Sequence, residues 1–156
     1  MPAHPWLLSL ATAVPPHVLS QQDVARQMRA LFGERLIDYD RMEGVFAGTG
    51  ILKRHAMRPI EWYLEPKGWP ERTDAYLAGA GALFVEAAEK ALAQAGLAAD
   101  EIDTVVTIST SGIATPSLEA RLAGRMGFRP DVARVPVFGL GCAAGVTGLS
   151  LAARLA

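Results

Sequence analysis

The chain has 156 residues, 51% hydrophobic, 20% charged and 7% aromatic, with a formal net charge of −1. That length holds one core, and the near-zero charge excludes a nucleic-acid backbone or an anionic membrane as main partner, since both select a basic surplus. A single cysteine, Cys142, excludes an intramolecular disulfide or a cysteine-built zinc site; His4, His17 and His55 lack metal-ligand spacing, so no metal is expected.

Trp6–Ala13 is short and continuously apolar, which reads as a strand buried on both faces. Ala11-Thr12-Ala13 has the look of a signal-peptidase site. No Lys or Arg precedes it, however, and Pro2, Pro5, Pro15 and Pro16 flank it. No stretch reaches the ~18 apolar residues a membrane helix needs, and a cytoplasmic protein is expected. Ser20 with Asp23 starts a helix whose stripe is Val24, Met28, Leu31 and Phe32, stopped by Gly33. A second amphipathic piece spans Ile37–Phe46 and ends at Gly48 and Gly50, and Ile51–Met57 follows as extended chain. The stretch to Pro70 carries Trp62, Tyr63 and Trp69 and reads as an ordered loop with those rings as core anchors.

A long helix is predicted over Thr73–Ala95, with Leu77, Ala80, Phe84, Ala88, Ala91 and Leu92 as its stripe, Glu86 and Lys90 paired on the wet side, and Gly96 closing it. Thr104–Ser109 is the clearest strand, rich in β-branched residues. Thr115-Pro116 fits the N-cap and first position of a helix ending at Gly127. Arg134–Gly139 reads as another strand, and Cys142–Ala156 as a helix. Strands alternating with helices predict an α/β fold with a mostly parallel central sheet. Ala143–Ala156 has only Thr147, Ser150 and Arg154 as polar side chains, so its helix is expected to be buried on several sides. The sequence stops inside that helix, and residues 1–156 therefore read as one part of a larger protein, truncated there.

Pro136–Gly145 (PVFGLGCAAG) is the most informative segment. Gly139 and Gly141 let the backbone turn sharply out of a strand, which delivers Cys142 to a helix start. Unpaired N–H groups and the helix dipole favour an anion there, and the thiolate is the reactive form of cysteine. The same N–H groups would hold the oxyanion formed when sulfur attacks a thioester. The bland alternative is a buried, inert thiol. A rival reading takes Gly139–Ala144 as the G-x-G-x-x-A fingerprint of a dinucleotide-binding domain, whose acidic ribose partner would lie beyond residue 156. Lys53-Arg54-His55 reads as a solvated cationic turn. Thr110-Ser111-Gly112 follows a strand at the end where α/β proteins place their sites.

Together, Ser109-Thr110-Ser111-Gly112 with Pro116, Gly127-Phe128-Arg129 and Gly141-Cys142-Ala143-Ala144-Gly145 resemble the nucleophile region of type III polyketide synthases, the chalcone/stilbene synthase family. The resemblance extends more loosely back through Gly50–Met57 to about Trp6. It implies the N-terminal half of a thiolase-like fold, a buried nucleophile helix and a homodimer. It also implies Cys142 as the nucleophile that takes an acyl group from a coenzyme A thioester, followed by decarboxylative Claisen condensation with malonyl-CoA. Acyl-CoA and malonyl-CoA are then substrates, and no cofactor is implied. The family's catalytic His and Asn lie in its C-terminal half; no histidine follows His55 here, so residues 1–156 alone are expected to be inactive. Thr110 and Ser111 match pocket-lining positions. Thr115 matches a position that reaches into the partner subunit's cavity, where plant members usually carry Met. Met42–Thr49 matches the stretch with the family's basic coenzyme A residues but offers no clear Lys or Arg for them. Two other readings remain open: a condensing enzyme like ketoacyl-acyl-carrier-protein synthase III, and a non-catalytic scaffold half.

Overall fold

The computed structural model describes residues 4–156. They divide into two compact units, residues 14–75 and residues 4–13 with 76–156.

In the unit of residues 14–75, β1 (His17–Ser20) pairs antiparallel with β2 (Lys53–Ala56), from His17 opposite Ala56 to Ser20 opposite Lys53. β1 escapes the sequence reading because four residues after a Pro-Pro pair are too short to show a period. The helix α1 (Gln21–Phe32) starts where expected: the Ser20 hydroxyl accepts the Asp23 N–H at 3.0 Å. The second helix, α2 (Tyr39–Gly48), begins two residues later than its pattern predicts. Arg29 of α1 joins the two helices through hydrogen bonds to Glu43 and, at 2.8 Å, Asp40. The Arg29 hydrogen bond holds the Glu43 carboxyl below the ordinary carboxylate range. The small stabilisation this gives is present at neutral pH and is lost as pH falls through that lowered value.

Lys53-Arg54-His55 lies in a strand, as the extended reading of Ile51–Met57 expects, and not in a turn; β1 pairs with it, and the Arg54 and His55 side chains are engaged. Arg54 Nε donates to Gln21 Oε1 at 2.7 Å, and His55 Nδ1 lies 3.1 Å from the Pro15 carbonyl. Gln21 is buried and also donates to the Phe46 carbonyl at 3.0 Å, tying α1, α2 and β2 together. The aromatic stretch holds a short helix, α3 (Ile60–Leu64), where a loop was expected. Trp62 is half-buried, with Tyr63 edge-on at 5.0 Å. Trp69 is 74% exposed and anchors no core; the Arg72 guanidinium stacks over its ring at 5.3 Å.

The long helix α4 (Trp69–Ala95) starts four residues earlier than predicted, with Pro70 in its first turn, where a missing N–H costs nothing. In the second unit, Glu86 and Lys90 of this helix pair at 2.5 Å, and Val85 is buried in the core with Val105, Met126, Val132 and Ala144. Trp6–Ala13 is not the buried strand predicted: it has no ladder partner among the described residues, and Trp6 is 85% exposed. It is held by side-chain bonds to α4, Ser9 Oγ to the Ala91 carbonyl at 2.9 Å and Lys90 Nζ to the Thr12 carbonyl at 3.4 Å. A continuous apolar run specifies a strand only where neighbouring strands exist to pair with it.

β3 (Thr104–Ser109) and β4 (Ala133–Phe138) form a parallel pair in register from Thr104 opposite Ala133 to Ser109 opposite Phe138. α5 (Leu118–Met126) connects them and ends at Gly127. It starts after Ser117, not at Thr115-Pro116. The Thr115–Pro116 peptide is cis, and the carbonyls of both residues accept hydrogen bonds from Arg121, at 3.0 and 2.8 Å. After β4, a 3-10 turn (Gly141–Ala143) leads into α6 (Ala144–Leu155). Among the described residues β3 and β4 cover one side of α6: Ala144 and Gly148 are buried, while Val146, Leu149 and Leu155 form an exposed apolar surface. No helix among the described residues is long and apolar enough to cross a membrane.

Candidate active site

Because β3 and β4 run parallel and in register, both chains leave the sheet at the same edge, the edge where parallel α/β sheets carry their ligands. At the end of β3 the Ser109 hydroxyl donates to the Gly112 carbonyl at 2.6 Å and receives the Gly112 N–H at 3.4 Å. This side-chain turn folds Thr110 and Ser111 outward, and both are exposed. Gly112 lies against the face of Tyr76 from α4; a Cβ at this position would sit 2.3 Å from Tyr76 Cγ.

At the end of β4 the ladder continues one step further, with the Gly139 N–H donating to the Ser109 carbonyl at 3.3 Å. Gly139 and Gly141 then take φ of +84° and +55°, a region in which a Cβ clashes with the backbone. This is the sharp turn read from the sequence. Cys142 lies in the 3-10 turn directly ahead of α6 and is exposed among the described residues. The α6 N-cap is Ala143, which supplies no side-chain cap. The Ala144 N–H donates to the Gly141 carbonyl within the turn, and no side chain caps the rest of the first turn of α6.

The site thus brings Thr110 and Ser111 to the same sheet edge as Cys142, and Thr115 lies exposed in the loop that continues from them. Among the described residues no three His, Cys, Asp or Glu side chains cluster as a metal would need. Tyr76, Ser109 and Glu119 shape this edge but carry no local pattern. Tyr76 lies in a helix on the apolar face, and Glu119 reads as one more acidic residue in a helix first turn.

The contact between Gly112 and Tyr76 carries an expected result. Gly112→Ala should destabilise the complete protein by about 1–3 kcal/mol through overpacking, measured by urea unfolding. In a Tyr76→Ala background the same substitution should cost far less, and equal costs in both backgrounds would remove the contact.

A parallel pair that delivers a hydroxyl-bearing loop and a cysteine-bearing helix start to one edge is the arrangement of a thiolase-like α/β fold. Residues 3–156 match the family of chalcone and stilbene synthases, N-terminal domain, and the chain belongs to that family. It is 44% identical over 138 residues to the 1,3,6,8-tetrahydroxynaphthalene synthase of Streptomyces peucetius subsp. caesius, covering 88% of this chain and 37% of that protein. It is 28% identical over 141 residues to the phloroglucinol synthase of Pseudomonas fluorescens, covering 88% and 39%. Among solved structures, the 1,3,6,8-tetrahydroxynaphthalene synthase of Streptomyces coelicolor A3(2), a type III polyketide synthase, superposes with a TM-score of 0.84 at 28% identity, over 94% of this chain and 43% of that one. The chain thus spans about two fifths of the length of these relatives. The family match takes in Gly139–Ala144, and the dinucleotide reading of those residues is set aside.

Proposed function

We propose that this chain is the nucleophile-bearing part of a type III polyketide synthase. The observation that carries the reading is the placement of Cys142, exposed on the turn after Gly139 and Gly141 and directly ahead of the uncapped start of α6. In this reading the Cys142 thiolate attacks the carbonyl of an acyl-CoA. The α6 N–H groups stabilise the oxyanion, and coenzyme A leaves as its thiolate. Malonyl-CoA then loses carbon dioxide, and the resulting enolate attacks the acyl carbonyl and displaces the Cys142 thiolate, which lengthens the chain by two carbons. The His and Asn that assist these steps in the family come from outside residues 1–156, and the complete enzyme is a homodimer. Two relatives are named for polyhydroxylated aromatic products, tetrahydroxynaphthalene and phloroglucinol, which supports a product of that class.

The test is intact-mass analysis of the complete protein after incubation with an acyl-CoA. The reading requires a thioester adduct that maps to Cys142, and a folded full-length protein without one overturns it.

Thr110 and Ser111 line the pocket in this reading, and Thr115 borders the partner subunit's cavity. Within this chain the Thr115 side chain is exposed and belongs to no core, and its backbone carbonyl is held by Arg121 Nη2 at 3.0 Å. Thr115→Met is therefore expected to change stability by no more than about 0.5 kcal/mol, while the chain-length distribution of products changes. An unchanged product profile would remove Thr115 from the cavity.

A further inference from the structure

We propose that Glu119 is a positioning residue for the loop bearing Thr110, Ser111 and Thr115; the proposal rests on the reading of that loop as substrate-binding. Glu119 is 1% exposed, the largest fully buried side chain among the described residues. Its Oε2 receives the Thr107 hydroxyl at 2.6 Å, and its Oε1 receives the Ser117 hydroxyl at 2.6 Å. Thr107 lies on β3 three residues before Thr110, and Ser117 lies two residues after Thr115. One carboxylate thus holds both ends of the loop.

Among the described residues no Lys, Arg or His forms an ion pair with Glu119. Its charge is met by the two hydroxyls and by the start of α5, in whose first turn it sits. A buried carboxylate is a poor way to gain stability, since an apolar side chain of similar volume does as well or better. What it supplies is direction: a carboxylate only accepts, so both hydroxyls must donate to it and both side-chain rotors are fixed. A cavity of about 50 Å³ adjoins this carboxylate and is lined by Ser109 and Gly112, the residues that form the turn presenting Thr110 and Ser111. Loss of either hydrogen bond frees one end of the loop while leaving Cys142, in the turn after β4, in place.

The experiment uses the full-length protein with an acyl-CoA and malonyl-CoA. It compares Glu119→Gln, Thr107→Val and Thr107→Ser by rate of Cys142 acylation, product distribution and melting temperature. Glu119→Gln and Thr107→Val should acylate Cys142 within about twofold of the parent rate. The ratio of prematurely released to full-length product should rise about tenfold, as loss of orientation at a reacting chain predicts. Thr107→Ser, which keeps the hydroxyl, should restore the parent ratio. Should Glu119→Gln fail to fold, the two Thr107 variants decide the matter alone. Unchanged product ratios, or acylation and condensation falling together with the melting temperature, would overturn the positioning role. Failure of the parent protein to acylate would overturn the underlying reading as well, so the two failures are distinguishable.

Discussion

Cys142→Ser is expected to abolish covalent acyl loading while leaving the fold intact. Serine keeps the shape and nearly the volume of cysteine, and within residues 4–156 nothing packs against this position on the 3-10 turn. The chemistry changes far more, because an alkoxide is much harder to generate than a thiolate at neutral pH. Removing the attacking group of a covalent mechanism costs about a thousandfold or more, which for mass analysis means an adduct on the parent protein and none on the variant. The melting temperature should be unchanged within about 2 °C, as for a surface substitution. A serine variant that still acquires the acyl group would show that the nucleophile is another residue.

What was legible in the sequence was local. Ser20 with Asp23 specifies its own cap, the β-branched Thr104–Ser109 specifies its own strand, and Gly139 and Gly141 specify a turn that only positive φ permits. The Cys142 position follows from these without knowledge of the rest of the chain. What was not legible depends on partners distant in sequence. The run Trp6–Ala13 has strand composition, yet pairing needs a neighbour that the run itself cannot name. The start of α5 looked like Thr115-Pro116 by residue preference, but Arg121, six and five residues on, takes those carbonyls and moves the start to Leu118. Glu119 was silent for the same reason. A glutamate in a helix first turn is normally solvated, and only the fold brings Thr107 and Ser117 to both of its oxygens. The apolar surround of α6 reports what the helix can bury, and residues 4–156 supply that cover only on the β3 and β4 side.

Gly148→Ala is the second substitution with a large expected effect, and two opposing terms set its sign. Within a helix, alanine is favoured over glycine by about 1 kcal/mol, so a solvent-facing site would gain stability. Gly148 faces β3 instead and is buried: a Cβ there would lie 2.6 Å from Ile108 Cδ1 and 2.8 Å from Ile108 Cγ1. Relieving both contacts requires Ile108 to leave its rotamer or α6 to move away from the strand, at about 1–3 kcal/mol. The clash wins, and a net loss of stability is expected. The same displacement reaches the site, because Ala144, one turn earlier on the same buried face, begins the helix directly after the turn that holds Cys142. A shift of about 1 Å at a reacting group costs as much as a hundredfold in rate, so Cys142 acylation in the complete protein should slow well beyond what the stability loss explains. The decisive comparison is the double variant. Ile108→Ala removes both clashing atoms, and in that background Gly148→Ala should stabilise rather than destabilise, with the acylation rate recovering toward that of Ile108→Ala alone. A Gly148→Ala effect of the same sign and size in both backgrounds would show that α6 is not held against β3 at this glycine.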